Sequence, residues 1–311
     1  MPVPSPGIAY LLIVHSQPNH LKRIIRRLGH PDDHFFVLVD KKQHAAPFQQ
    51  ALSGLKNVTI LPQTTSIYWV GMGTVEAELA LFRAAFHRGP FAHYVLMSGA
   101  DYPIKPMPYI RQFLLSAGKN FIPVHSRLHP GGPSHFTSRF TRYHFLNNDY
   151  LNPRGAYRNH RFFRQVRRLL EKYPIPRRMT RSRTIYHGPT WVSLTHSFVD
   201  YVLKTVSGQP SELAFYRHTY CPDEMFLHSL IKESPFATSN YYDFERETDG
   251  KNWLGLFYAD WHTPDVVLPK TLDTTDFNAL KESHPHALFA RKFDEKASAG
   301  LLDRIDEYLL V

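Results

Sequence analysis

The sequence predicts an α/β protein: a doubly wound, mostly parallel mixed sheet flanked by helices. Three observations carry that expectation. Short, continuously apolar runs of strand length recur at 8–15, 34–39, 58–61 and 91–98. Segments with helical spacing of apolar residues stand between them, which is the alternation that βα units produce. The runs stop at residues able to turn a chain or do chemistry: His15, Asp40, and Ser98-Gly99-Ala100-Asp101 ahead of Pro103. In an open α/β sheet the carboxyl ends of the strands form the mouth where ligands bind.

The elements follow in order. After the strand 8–15, an amphipathic helix over 19–28 places Leu21, Ile24, Ile25 and Leu28 on one face. The buried strand 34–39 ends at Asp40-Lys41-Lys42, a short helix covers 48–55, and a third strand 58–61. Residues 66–69 run into Gly71-Met72-Gly73, then a strong helix over 74–88 carries Ala77, Leu79, Leu81, Phe82, Ala85 and Phe86. The strand 91–98 precedes a helix over 107–117 and a short strand at 121–124. Beyond this the alternation breaks, and 125–183 holds one clear helix, 162–172, between connections rich in Pro, Gly and Asn. The pattern resumes with a strand at 190–194, helices at 196–206 and 222–232, and strands at 241–244 and 256–258. Helices at 276–282 and 301–310 close the chain around the apolar and basic stretch 286–293. No internal repeat or flexible linker divides it, so one domain over 1–311 is expected.

At 311 residues, 43% of them hydrophobic, the chain can bury a large core. The single cysteine, Cys221, excludes an intrachain disulfide and a cysteine-based zinc site, and it fits a reducing compartment. No stretch approaches the ~20 apolar residues of a spanning helix. The opening Met1-Pro2-Val3-Pro4-Ser5-Pro6-Gly7 lacks the charged start and apolar core of a signal peptide. A soluble, cytoplasmic protein is expected. Its net charge of +10 is unevenly placed: between His125 and Arg183, fourteen Lys/Arg face two acids, Asp149 and Glu171. Interleaved with Phe136, Phe140, Tyr143, Phe145, Tyr157, Phe162 and Phe163, this segment suits nucleic acid, anionic lipid or a phosphorylated ligand. A solvated, irregular surface would read the same way.

Three groups could carry chemistry, each with a plainer alternative. Asp40 can accept hydrogen bonds from a ribose or base, or it punctuates a strand end together with Lys41 and Lys42. Pro222-Asp223-Glu224 is a normal helix start, or it fixes a carboxylate as a general base for an attacking hydroxyl. Phe289-Ala290-Arg291-Lys292-Phe293 holds two cations between apolar residues, where they can grip phosphate or snorkel to water. Metal sites are poorly supported. No Asp-x-Asp occurs, the lone Asp101 lacks a second carboxylate, and Asp243-Phe244-Glu245 stands apart from other strand-end ligands. The 19 histidines form no His-Glu-x-x-His. A dinucleotide loop, a Walker sequence and a Gly-x-Ser-x-Gly nucleophile are also missing.

Taken in order, these pieces resemble the Core-2/I-branching enzyme family, which includes branching N-acetylglucosaminyltransferases and peptide O-xylosyltransferases. The matching features are Ala9-Tyr10-Leu11-Leu12-Ile13-Val14-His15, Val39-Asp40-Lys41-Lys42, Trp69-Val70-Gly71, and Ser98-Gly99-Ala100-Asp101-Tyr102-Pro103-Ile104-Lys105. They continue with His187-Gly188-Pro189-Thr190-Trp191, Pro222-Asp223-Glu224, and Leu288-Phe289-Ala290-Arg291-Lys292-Phe293-Asp294.

The resemblance implies a GT-A-like fold, a UDP-sugar donor, inversion at the anomeric carbon, and no metal or other cofactor. It places Glu224 at the general base, and Lys292 with Arg291 at the departing diphosphate. It puts Val14, His15, Asp40, Lys41, Trp69, Gly99 and Asp101 in the donor site, with Asp101 shaping the pocket rather than holding metal. Arg139, Arg142, Tyr143 and Trp191 fall where acceptor contacts are made. The chain then divides into a nucleotide-binding half (1–124), a basic excursion (125–183) and an acceptor and catalytic half (184–311). UDP-N-acetylglucosamine is the expected donor, UDP-xylose its alternative, and a glycan or glycolipid hydroxyl the acceptor. No nucleic-acid partner is expected in this reading, whereas peripheral contact with an anionic membrane at its inner face is. The competing class is a non-catalytic sugar- or nucleic-acid-binding protein using the basic segment. One departure stands out: Gly188-Pro189-Thr190-Trp191 replaces the family's Gly-Ser-x-Trp/Tyr.

Overall fold

The computed structural model describes residues 7–132, 134–179, 184–242 and 255–311. Its strands are β1 (Ile8–Val14), β2 (His34–Val39), β3 (Val58–Ile60), β4 (His93–Ser98), β5 (Asp101–Pro103), β6 (Ser126–Leu128), β7 (Ile185–His187), β8 (Ser193–Thr195), β9 (Phe257–Ala259) and β10 (Phe289–Arg291). The helices are α1 (Pro18–Leu28), α2 (Ala46–Leu52), α3 (Gly73–Arg88), α4 (Met107–Ala117), α5 (Ser134–Thr141), α6 (Arg161–Lys172), α7 (His196–Gly208), α8 (Pro210–Tyr216), α9 (Phe226–Lys232), α10 (Phe277–Lys281) and α11 (Ala299–Tyr308).

The central sheet runs β3-β2-β1-β4-β8. Its first four strands are parallel, and β8 closes it antiparallel to β4. β1 and β2 are buried along their whole length. Their unalternated apolar sequences require this, since a parallel strand covered on both faces has no polar side. Successive β1 side chains serve opposite layers. Ile8, Tyr10, Leu12 and Val14 pack with Leu21, Ile24 and Leu28 of α1, while Ala9, Leu11 and Ile13 pack with Val75, Leu79 and Phe82 of α3.

A second sheet, β5-β10-β9, brings the C-terminal basic stretch to the mouth of the first. After β4 the chain turns through Gly99 and Ala100 and emerges as β5, antiparallel to β10, with Arg291 opposite Asp101. Gly99 makes the turn feasible. Its N–H donates to Ile13 O at 3.0 Å, and a Cβ there would sit 3.0 Å from Val14 Cγ1.

Several elements differ from expectation for identifiable reasons. The strand expected at 121–124 is an isolated bridge between Phe121 and Ser193, because Pro123 has no N–H for a ladder; β6 forms just beyond it and pairs with β7. The strand expected at 190–194 begins only at Ser193. The helix expected at 222–232 is a 3-10 turn, Pro222–Glu224, followed by α9. β5, α5 and α8 had no counterpart in the expectation. The strand expected at 241–244 leaves the described residues at Asp243, and so does the Asp243-Phe244-Glu245 pair. Among the described residues no helix is long and apolar enough to cross a membrane.

Candidate active site

The carboxyl ends of β1, β2 and β4 set out the first part of the mouth. His15 is exposed beyond β1. Desolvation by its surroundings holds its ring below the ordinary histidine value; Asp40 opposes this, and the cations Lys292 and Lys42 reinforce it. The same electrostatics bring the β1, β2 and β10 ends into one neighbourhood. Asp40 is buried, and both of its carboxylate oxygens accept hydrogen bonds. Oδ1 accepts from the backbone N–H groups of Lys42 and Ile67, both at 3.1 Å, and Oδ2 accepts from Lys42 Nζ at 2.6 Å. Asp40 therefore anchors the loop leading to Trp69. Lys41 is exposed, and its backbone N–H donates to Thr65 O. Val14 contributes a buried side chain and a backbone O that accepts from Asp40 N at 2.9 Å.

Asp101 is likewise set back from the mouth. Its side chain has no solvent exposure, and its oxygens accept from Ser98 N at 2.7 Å and Ser98 Oγ at 2.8 Å. Burial pushes this carboxyl up, against the opposing charge of Arg291. Arg291 Nε lies 3.6 Å from Asp101 Oδ1, and its guanidinium stands over the Trp191 ring at 4.6 Å. Asp101 and Trp191 thus hold Arg291 between them. Lys292, the next residue, is exposed.

The second part of the site is the turn carrying Glu224. Cys221 adopts a left-handed backbone (φ 50°) and donates its N–H at 3.0 Å to the O of Val70, itself left-handed at φ 59°. Such conformations cost a non-glycine residue about 1–3 kcal/mol each and concentrate at working sites. The turn also locks to 188–191, since Gly188 N donates to Glu224 O at 3.0 Å and Thr190 Oγ1 to Asp223 Oδ2 at 2.8 Å. A Cβ at Gly188 would fall 1.9 Å from Pro123 O, so only glycine fits there. Residues 188–191 therefore join the Glu224 turn to Trp191 and, through it, to Arg291.

Glu224 is 32% exposed at its side chain, so an incoming group can reach it. Oε2 accepts from Arg139 Nη1 at 2.7 Å and lies 3.2 Å from His187 Nε2. Both contacts use the same oxygen, which leaves Oε1 for another hydrogen bond. Burial raises the Glu224 carboxyl, but the hydrogen bond and charge of His187, together with Arg139, outweigh it and hold it below the usual range. Neighbouring Asp223 is pushed up, first by burial and then by the charge of Glu224. Behind it, α3 packs on the turn and presents Glu78, which is 1% exposed with neither oxygen hydrogen-bonded. Burial, followed by the charge of Asp223, raises Glu78 well above the carboxylate range. Their surroundings thus lower Glu224 and raise Asp223 and Glu78, an environment-driven separation typical of acid–base sites.

A family model described as Core-2/I-Branching enzyme matches residues 8–281. The chain belongs to that family. It is 24% identical over 318 residues to Xylosyltransferase 1 of Homo sapiens, a match covering 99% of this chain and 31% of that protein. It is 27% identical over 316 residues to Xylosyltransferase 2 of Canis lupus familiaris, covering 98% of this chain and 34% of that one. It is also 26% identical to Xylosyltransferase 2 of Rattus norvegicus over 97% of this chain and 33% of that protein. The chain spans about a third of the length of these relatives.

In this Core-2/I-branching protein the acceptor candidates separate. Arg139 joins the Glu224 cluster directly, its guanidinium over the rings of Phe136 at 4.8 Å and Tyr220 at 5.6 Å. At Arg142 and Tyr143 the backbone pairs with 175–176: Arg142 bridges Pro176, and Tyr143 N donates to Ile175 O at 2.9 Å. Trp69 borders the cluster edge-on to Tyr220 at 6.4 Å, with Arg154 over its ring at 4.1 Å. Sequence reasoning named Asp223 only within the Pro222-Asp223-Glu224 turn and His187 only within a matching motif, and it missed Glu78. Glu78 did leave a signal, as an acid at a core position of an otherwise apolar helix face. Among the described residues no group of three or more His, Cys, Asp and Glu could hold a metal ion.

Proposed function

We propose that the chain is an inverting glycosyltransferase that moves a sugar from a UDP-sugar to a hydroxyl of a glycan, glycolipid or protein without a metal. The observation that carries this reading is Glu224: a partly exposed carboxylate with one oxygen pinned by Arg139 and His187 and the other open. The open Oε1 takes the proton of the acceptor hydroxyl as its oxygen attacks the anomeric carbon. The bond to the diphosphate breaks on the opposite face, and the electron pair leaves with UDP. Arg291 and Lys292 meet the charge that develops there, a role in which fixed cations are most effective at a recessed site.

For the donor, relatives named xylosyltransferases favour UDP-xylose. UDP-N-acetylglucosamine, the expectation from sequence, stands beside it. Thermal-shift measurement with UDP, UDP-xylose, UDP-N-acetylglucosamine, GDP and ADP tests the donor class. A ligand at a hundredfold excess over Kd adds about 2.7 kcal/mol to stability, so uridine ligands should raise Tm and the others should not. Equal shifts for all nucleotides, or none, would contradict the reading.

A further inference from the structure

Eight of the seventeen exposed large apolar side chains among the described residues lie between Phe136 and Ile175. That segment also holds most of the chain's basic excess. Its centre is α6, in which no residue is buried. One side of α6 is committed to the protein: Phe163 packs against the Tyr150 and Tyr157 rings at 4.9 and 6.1 Å, and Arg167 Nη1 donates to Tyr150 O. The opposite side is not. Phe162, Leu169 and Tyr173 recur at helical spacing with 60%, 58% and 61% of their surface exposed. Arg161, Arg168 and Lys172 run along the flank of that stripe and are exposed as well.

We infer that this face of α6 docks the protein on an anionic lipid surface. A basic amphipathic helix lies in the interface with its apolar side in the acyl boundary and its cations among the headgroups. The stripe decides between anionic partners. A nucleic-acid backbone would answer the arginines but leave Leu169 and Ile175 in water, whereas a bilayer interface takes both. The docking face belongs to the same excursion that holds the loop carrying Trp69, where Asn152 Nδ2 donates to Trp69 O at 2.8 Å and Tyr68 OH to Asp149 Oδ2 at 2.9 Å.

The test is co-sedimentation of the full chain with vesicles of phosphatidylcholine alone or mixed with phosphatidylglycerol. It reads binding only, so its result is independent of the proposed transferase activity. Binding is expected to the anionic vesicles alone, weakening with salt. Each cation near such a surface contributes about 1 kcal/mol, so Arg161→Ala with Arg168→Ala should lower partitioning on the order of thirtyfold. Phe162→Ser with Leu169→Ser should also release the protein, and neither pair should change Tm because all four side chains are exposed. No binding to anionic vesicles would overturn the inference. Binding unaffected by both pairs, or tighter binding to a single-stranded RNA probe than to the vesicles, would overturn it too.

Discussion

Replacing Glu224 with Gln keeps the size of the side chain and removes its charge and basicity. Loss of a positioned general base lowers turnover by about 10²–10⁴-fold, or roughly 3–5 kcal/mol of transition-state stabilisation. The fold should survive the change. The ionic contact of Glu224 with Arg139 is 2.7 Å, between side chains 32% and 18% exposed, and Gln keeps an acceptor there, so the change costs about 1–3 kcal/mol. The donor site should survive as well, because the proposed diphosphate cations lie on and beyond β10 and are not bonded to Glu224. The assay is steady-state kcat at saturating donor, paired with calorimetric UDP affinity on the same preparation. The expected result is a kcat loss of at least a hundredfold with UDP affinity essentially unchanged. Turnover within tenfold of the parent would refute the general-base assignment. A parallel loss of UDP affinity would refute the separation of the two halves of the site.

Other outcomes follow from the same geometry. Lys292→Ala should weaken UDP binding about ten- to a hundredfold, the worth of a charge-assisted hydrogen bond, and lower kcat as well, read by calorimetry and kinetics; unchanged affinity would remove Lys292 from the diphosphate site. Gly188→Ala must displace 188–191 from Pro123 and the Glu224 turn, so Tm should fall by an amount equivalent to about 1–3 kcal/mol or more, with activity lost alongside; an unaltered Tm would contradict the packing. Glu78 is raised in the folded state above its ordinary 4.5, so the folded protein binds that proton more tightly than the unfolded chain. Its contribution to stability falls as pH rises from 4.5 toward the raised folded value. Glu78→Gln, neutral throughout, should flatten that part of the Tm–pH curve, and an unchanged slope would show that Glu78 does not titrate in this way.

The central sheet was legible because β1, β2 and β4 are nearly continuous apolar runs, and a strand buried on both faces admits few other readings. β5 was not, since three residues carry no period and their partner β10 lies near the far end of the chain. Pro222-Asp223-Glu224 read as the start of a helix because Pro and acids favour one. It is instead a 3-10 turn entered from the left-handed backbone of Cys221, a conformation that side-chain patterns do not encode. Glu224 and the Arg291-Lys292 pair could be singled out as residue types in suggestive settings. What each touches could not. The contact of Arg139 with Glu224, the commitment of Asp40 to Lys42 and Ile67, and the support of Arg291 by Asp101 and Trp191 all join residues whose encounter depends on the finished fold.

In the proposed reaction cations rather than a metal meet the leaving diphosphate while Glu224 activates the acceptor from the opposite face. One experiment addresses both parts: transfer from an α-linked UDP-sugar in the presence of EDTA, with the product's anomeric configuration read by NMR. The expected result is undiminished turnover to a β-linked product. Strict dependence on added manganese, or an α-linked product, would contradict it.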